Sequence, residues 1–526
     1  MQRIVLLLSS MVAGVLLLAS GMLPSTTYGQ TATASFTDVA AGLSHTAALR
    51  NDGTVWEWGF LYGGGGQHNT PVLKKGVSDV IDVAAGIGHT VALKRDGTVW
   101  TWGSGNYGGL GNGTTTSTDT PVQVKGENGV GYLTGVVAVE GGGGHVMALE
   151  SDGTVWAWGK NSGGQLGNGT AGEFENKSTP VQVKGEGGAG YLTGVKDIAV
   201  GGLHSLALKS DGTVWAWGYG ASGQLGNGPT GSQSATPVQV KGPNNEGFLT
   251  NVTDVAAGSS DHSVAVKSDG TVWTWGDSYQ GGKLGNGTTS SSAYTPVQVK
   301  NETGTGFLTN ALSVAGGDNH TLAVMKDGTV RAWGYNGAGQ LGDGTFADKS
   351  IPVQVKVDGV KAVDGGRNHT VALKTDGTVW TWGLNDSGQL GDGTTVTRNP
   401  TPVKVVFPAD TTPPNVTSTV PGAGATRVAP TVNVKATFSE DMMASTINKT
   451  TFTLRKQNAT GFVAATVTYD PSTKTATLDP TNSLQKRATY KASVNLGAQD
   501  QAGNPLDQND SLSGSQRKDW TFKVRP

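Results

Sequence analysis

A chain of 526 residues has room for more than one domain, and this one combines 82 glycines and 14 tryptophans with no cysteine. The glycines follow no Gly-X-Y period, which excludes a collagen triple helix, and the regular Trp and Val positions exclude a disordered chain. A formal charge of −2 and a pI near 6.5 leave no basic excess to track phosphates, so nucleic acid is not an expected partner. The missing cysteine removes disulfides and thiol chemistry.

The first residues read as an export signal rather than as fold. Arg3 supplies a short positive region, Ile4 to Ser20 an apolar run, and small and polar residues follow. A signal peptide over residues 1–29, cleaved near Gly29 or Ala32, is expected. The mature chain would then hold no integral membrane segment and would be secreted or lodged in the cell envelope. Without cysteine it carries no lipid-modified anchor.

From Phe36 to Pro408 one unit recurs seven times. Its clearest copy, "GLHSLALKSDGTVWAWGYGASGQLGNG", runs from Gly202 to Gly228. A histidine opens each unit: His45, His89, His145, His204, His262, His320 and His369. Seven residues on stands an Asp-Gly pair, led by Asp52, Asp96, Asp152, Asp211, Asp269, Asp327 and Asp376. A Trp-x-Trp-Gly and a Gly-Gln-Leu-Gly loop complete the pattern.

In the fifth unit, Thr253–Gly258 is a short strand of small residues, and His262 to Val266 alternates with period two. Asp269-Gly270 between two alternating runs is a hairpin signal, with positive φ expected at both turn positions. "TPVQVK" from Thr295 is a strand opened by proline, and so belongs at a sheet edge. Four short strands per unit, repeated radially, make the blades of a β-propeller. Small inner strands crowd the axis, Trp- and Val-rich middle strands are covered by neighbouring blades, and proline-bearing outer strands face solvent.

These residues carry a family resemblance. "HTVALKTDGTVWTWGLNDSGQLGDGT", His369 to Thr394, resembles the repeats of the regulator of chromosome condensation family. The resemblance implies an all-β, seven-bladed propeller over residues 36–408. It also implies that blades and repeats are offset, so that the strand near Phe36 completes a sheet with the strand near Val403. Two units depart from the pattern. The first has "FLYGGGGQHNTP" in place of Gln-Leu-Gly, with Gln67 expected to fill in. The sixth has Arg331 where others have Trp. Both blades are expected to be distorted.

Four units carry an insertion after the outer strand, starting at Lys125, Lys184, Lys241 and Lys300. Each presents one aromatic, Tyr132, Tyr191, Phe248 or Phe307, followed by a leucine. Clustered exposed aromatics favour protein interfaces, which makes these four the candidate protein-binding residues. The competing reading is that each ring staples its own hairpin to the blade, and it accounts for the fourfold copying.

At "PADTTPPNVTSTVP" the composition shifts, and residues 409–414 read as a stiff linker around Pro413-Pro414. Residues 415–526 offer short alternating strands, "VNVKATFS", "TFTLRK", "ATVTYD", "TATLDP", "YKASVNL" and "WTFKV", which suggest a β-sandwich. With "DQAGNPL" they resemble the bacterial Ig-like domains first known from S-layer proteins, and that resemblance implies a stalk or spacer.

The residues offer no catalytic, cofactor or metal site. Equivalent histidines on neighbouring blades are separated by a sheet-packing distance of roughly 10 Å, too far to share a metal, so each imidazole should hydrogen-bond locally. The Asp-Gly acids serve turns, and the Trp pairs serve core. Asp500, Asn504, Asp507 and Asp510 lie close in sequence, and a polar loop is the default over calcium. His68, off the pattern, reads as a solvated loop histidine. "GQLGNG" lacks the ending of a phosphate loop. The expected function is therefore a non-catalytic, exported bacterial interaction or surface scaffold, its partner another extracellular or envelope protein. The array also resembles a secreted propeller that inhibits β-lactamase. The eukaryotic namesake implies nucleotide exchange on a small GTPase, which the export signal opposes.

Overall fold

The computed structural model describes residues 35–526 apart from 230–231, 280, 290, 409–410, 472, 501–502 and 509–514. The export signal read at residues 1–29 lies outside the described residues. The remainder divides into two units, one ending at Pro408 and one running to Pro526, and each is described by itself.

The first unit holds seven four-stranded antiparallel sheets, each with its strands in sequence order. The first sheet comprises Phe36–Ala41, His45–Arg50, Val55–Leu61 and Gly66–Leu73. The others span residues 80–123, 136–182, 195–239, 252–298, 311–354 and 360–404. The second strand of each sheet is buried along nearly its whole length. A strand covered on both faces reads as continuous Val, Leu and Ala, as these do. The outer strands carry the prolines where the ladder breaks register. In the third sheet the pairing jumps from Ala157↔Val181 to Gly159↔Lys177, and Pro180 falls in the gap, where its missing N–H costs no ladder bond.

The Asp-Gly hairpins differ from expectation. Only the glycine takes positive φ, as Gly212 does at 81°, while Asp211 does not. The loop has three residues rather than two. Gly212 donates to the Lys209 carbonyl (2.9 Å) and Lys209 to that of Thr213 (2.9 Å), a turn followed by one left-handed residue. The aspartate is chosen for its side chain. Asp211 Oδ1 accepts from the Thr213 N–H (2.9 Å) and hydroxyl (2.6 Å).

Neighbouring blades are joined through one backbone carbonyl. The carbonyl of Gln165, in the Gly-Gln-Leu-Gly loop of the third blade, accepts from Trp217 Nε1 (2.9 Å) and from the Ser205 hydroxyl (2.9 Å) of the fourth. Gln224, Lys283, Gln340 and Gln389 repeat the arrangement toward Trp275 and Ser263, Trp333 and Thr321, Trp382 and Thr370, and Trp58 and Thr46. Because a main-chain oxygen does the accepting, lysine can stand at position 283. The glutamines earn their place differently: Gln165 Oε1 accepts from Gly163 N–H (2.8 Å), closing its own loop.

The last of these joints, from blade seven to blade one, also closes the ring. Phe36 N–H donates to Gly377 (3.0 Å) and Ala41 N–H to Asp364 Oδ2 (2.8 Å). The Phe36–Ala41 strand pairs within its own sheet, and Val403 pairs with Thr381 in the seventh. The expected offset between repeat and blade is therefore absent. Closure rests on the same side-chain joint used elsewhere, so no strand has to cross.

Blade one lacks the loop whose carbonyl would serve blade two. Gln67 does not fill in. It sits on the exposed outer strand, its side-chain amide 3.5 Å from the Asp386 carbonyl. The replacement is Glu57, between the two tryptophans, whose Oε1 accepts from Trp102 Nε1 (2.8 Å) and the Thr90 hydroxyl (2.7 Å). Glu57 is buried, and burial pushes its carboxyl up against the opposing pull of Lys74. Lys74 Nζ lies 3.5 Å from Glu57 Oε2 and 2.5 Å from Asp119 Oδ1. The sixth blade is also regular, with Arg331 keeping the common register. Its Nη1 donates to Thr329 (2.9 Å), as Trp273 Nε1 donates to Thr271 (3.0 Å).

In the second unit one sheet orders the strands Val416–Val420, Val434–Phe438, Thr475–Pro480 and Ala465–Asp470, and the other Phe452–Lys456, Thr489–Val494 and Lys518–Lys523. All six strands read from sequence are present, and Val416–Val420 adds a seventh. Phe438, Phe452, Leu478, Trp520 and Phe522 form its core. Pro414, read as linker, accepts from Asp507 N–H (2.9 Å) within this unit.

Replacing Glu57 by alanine removes two seam bonds and leaves the buried Lys74 with Asp119 as its only carboxylate, and should lower propeller stability by about 2–4 kcal/mol. Gln67→Ala should stay within about 0.5 kcal/mol. Thermal and urea unfolding of the two variants checks both, and equal losses would show that Glu57 is not the substitute.

Candidate functional site

The repeated histidines hold a second joint between blades, not the local bond expected. His45 Nε2 lies 3.2 Å from the Thr90 hydroxyl of the next blade. His145, His204, His262, His320 and His369 meet Ser205, Ser263, Thr321, Thr370 and Thr46 at 2.8–3.0 Å. Each of these hydroxyls already donates, Thr90 to Glu57 and the others to the loop carbonyl, so it must accept from the imidazole. Nε2 therefore carries the proton, and Nδ1 is left buried without a partner. The ring lies against a glycine. A Cβ on Gly42 would come within 2.2 Å of His45 Cε1, which explains a glycine at this point of the turn. His89 is the exception. The residue after His145 is Val146, which offers no hydroxyl, and His89 Nε2 is unpaired.

Burial lowers every one of these imidazoles. His45, His145, His204, His320 and His369 are held at about 3, His89 at about 4, and His262 well below the ordinary value. All seven are neutral spacers, unsuited to proton transfer near neutrality.

The other candidates are likewise occupied. The turn acids spend one oxygen on the threonine two residues on, and those hydrogen bonds hold Asp96, Asp211, Asp269 and Asp376 below the usual carboxylate range. At the axis, Asp38, Asp82 and Asp254 accept from Val83, Val139 and Val314 on the next inner strand (3.2, 3.1 and 2.8 Å). These bonds satisfy amides on an edge that has no further strand. In the second unit the buried Asp500 accepts twice from Asn504, at 2.8 Å each, and Asp507 from Gln516 N–H (3.0 Å). Asp510 lies outside the described residues. His68 bonds the Gly65 carbonyl (2.8 Å) rather than being merely solvated.

The four insertions present their aromatics. Antiparallel order alternates the connections between the two faces of the disc, which puts the insertions on the face of the Asp-Gly turns. In each insertion the leucine is buried: Leu133, Leu192, Leu249 and Leu308. The stapling is thus the leucine's work, and Tyr132, Tyr191, Phe248 and Phe307 remain about half exposed. Lys125, Lys184, Lys241 and Lys300 stack on those rings with Nζ 4.5–4.7 Å from the centroids, each worth about 0.5–1 kcal/mol at an exposed site. Blades two to five therefore offer a row of ring–ammonium pairs. The sequence named these rings and left binding and stapling open between them, because exposure is not visible in a local pattern.

Comparison with known proteins agrees with this architecture. The model of the RCC1-like domain matches residues 118–429, that of the regulator of chromosome condensation (RCC1) repeat matches 36–62 and 80–108, and that of a bacterial Ig-like domain matches 410–524. The ultraviolet-B receptor UVR8 of Arabidopsis thaliana is 30% identical over 254 residues, covering 48% of this chain and 52% of that protein. The E3 ubiquitin-protein ligase HERC2 of Homo sapiens is 32% identical over 250 residues, covering 47% of this chain and 5% of that protein. The chain thus spans about half the length of the first relative and a small part of the second. Among solved structures, yeast RCC1 (Prp20) bound to Kap60 superposes with a TM-score of 0.56 at 20% identity, covering 76% of this chain and 92% of that one. Human WBSCR16 gives 0.55 at 23%, covering 64% and 86%. At these identities the likeness is one of fold.

Two outcomes follow from the histidine joint. Val146→Thr supplies the missing hydroxyl and should raise the melting temperature, by an amount equivalent to about 0.5–1.5 kcal/mol; a lower temperature would show that His89 does not need the bond. The second concerns acid. Between pH 6.5 and about 4 the unfolded chain binds protons on these imidazoles and the folded chain does not, so stability falls as pH falls. Seven such groups set an upper bound on the slope of ~10 kcal/mol per pH unit, at about 1.4 kcal/mol each. Asp197, pushed up to about 7 by burial with Asp254 and Glu140 nearby, works in the opposite direction, as do Glu57, Asp261 and Asp318, which burial also pushes up, so the net slope is smaller. Urea midpoints measured from pH 7 to 5 test this, and uptake of fewer than about two protons on unfolding would contradict it.

Proposed function

Since the chain belongs to the RCC1-like domain family, we propose that it is a non-catalytic protein-interaction scaffold, exported by a bacterium and displayed at its surface. The observation that carries the reading is the use of the repeated polar side chains. Histidine, hydroxyl and indole at the repeat positions are spent on joining blades, and the turn aspartates on their own hairpins, which leaves recognition to the loops where the copies differ. Fold alone would not assign this role.

The half-exposed rings of Tyr132, Tyr191, Phe248 and Phe307 form the interaction face of this reading. Exposed aromatics are enriched at protein interfaces. The bacterial Ig-like match at residues 410–524 and the apolar run from Ile4 to Ser20 behind Arg3 support export and a spacer. The partner is then another envelope or extracellular protein. The net charge of −2 gives no support to nucleic-acid binding.

Affinity capture from envelope and medium fractions tests the proposal. The wild-type protein should retain one defined partner. The fourfold variant Tyr132→Ala, Tyr191→Ala, Phe248→Ala and Phe307→Ala should lose it while melting within a few degrees of wild type. A protein found only in the cytosol would refute export, and a reproducible turnover would refute the non-catalytic role.

A further inference from the structure

The sixth blade breaks the repeat at the rim of the insertion face. Blades two, four, five and seven stack a second-strand lysine on a third-strand tryptophan there: Lys94 on Trp100, Lys209 on Trp215, Lys267 on Trp273 and Lys374 on Trp380. Blade six has Met325 for the lysine and Arg331 for the ring. The missing indole leaves a cavity of about 430 Å3 between this hairpin and the fourth insertion. Phe307, Leu308 and Met325 supply apolar wall, while Arg331, Lys326 and Glu302 supply charge. The Arg331 side chain is 15% exposed, and its Nε faces the carboxylate of Glu302. Glu302 is 45% exposed, so it is the member of the pair that can leave for solvent.

We infer that this cavity binds an acidic–apolar segment of a partner protein, with an Asp or Glu carboxylate taking the place of Glu302 on Arg331. The inference rests on the scaffold reading and names one contact within it. The charged lining carries it: Arg331 and Lys326 are balanced by Glu302 and Asp327, and Glu302 is the exposed member of its pair. Asp327 is committed to Thr329, at 2.9 and 2.7 Å, and Lys326 meets no carboxylate among the described residues. Once Glu302 swings out, Arg331 and Lys326 outweigh Asp327 by one positive charge. The guanidinium is held by Thr329, so its Nε and remaining edge stay aimed at the cavity. Glu302 then acts as a built-in competitor that keeps the arginine paired until a partner arrives. The apolar neighbour of the incoming carboxylate covers Phe307 and Met325.

The test uses the full chain and a displayed heptapeptide library as the probe. Selected peptides should carry an acidic residue beside an apolar one. Arg331→Trp restores the residue found at this position in the other six blades, so the fold should be retained. It should weaken those peptides at least roughly tenfold, as loss of a charge-assisted hydrogen bond does. Glu302→Gln removes the competitor and should strengthen them by about threefold or more. The Glu302 variant also keeps the inference testable should Arg331→Trp misfold. Enrichment of peptides without acidic residues, enrichment of nothing over the Arg331→Trp control, or weaker binding by Glu302→Gln would overturn it. A captured envelope partner that is indifferent to Arg331→Trp would sink this site while leaving the scaffold reading intact.

Discussion

The propeller depends on the carbonyl oxygen at the inner end of each Gly-Gln-Leu-Gly loop. That oxygen accepts from the hydroxyl and the indole of the next blade, and the hydroxyl accepts in turn from a histidine of the oxygen's own blade. Three side chains and one main-chain atom therefore close a buried polar network across each such seam. Within it each hydroxyl, indole N–H and Nε2 is paired, and the imidazole Nδ1 is the one atom left without a partner. This explains why the four residue types recur together rather than drifting independently along the chain.

The exceptions show the same constraint. Where blade one has no loop carbonyl, Glu57 provides a carboxylate oxygen, and Lys74 is drawn into the interior to neutralise it. The Gln position of blade five is Lys283, whose buried ammonium is matched by Asp277 at 2.6 Å. Where Val146 replaces the hydroxyl, the nitrogen left unpaired is Nε2 of His89, whereas in the other six histidines it is Nδ1. The substitutions that leave the seam alone, such as Arg331, disturb nothing inside the blade and change only the surface. Interior and surface thus vary under different rules. The interior must conserve a donor–acceptor count, whereas the rim is free to differentiate, which is where a binding protein needs to differ from its neighbours.

The C-terminal unit follows a simpler logic. Its alternating strands bury one face each into a single apolar core, and its polar loop around Asp500 is satisfied by Asn504. With one core and no repeated polar seam, its strands could be read almost directly from period-two alternation. In the propeller the same alternation located strands, but it could not say which blade a side chain would bond.

Periodicity and turn chemistry thus determined, without coordinates, the seven units, the four strands in each, the second domain and the edge position of the proline strands. Each of those depends on contacts a few residues apart. The tertiary structure alone decided that the histidines reach the next blade, that Glu57 rather than Gln67 replaces the missing loop, and that each repeat makes its own blade. It likewise assigned the stapling to leucine and left the aromatics half exposed. Such outcomes turn on which atoms face one another across 30 to 330 residues of chain. A linear pattern names the donors and acceptors but not their partners, because hydrogen bonding depends on direction and distance in space.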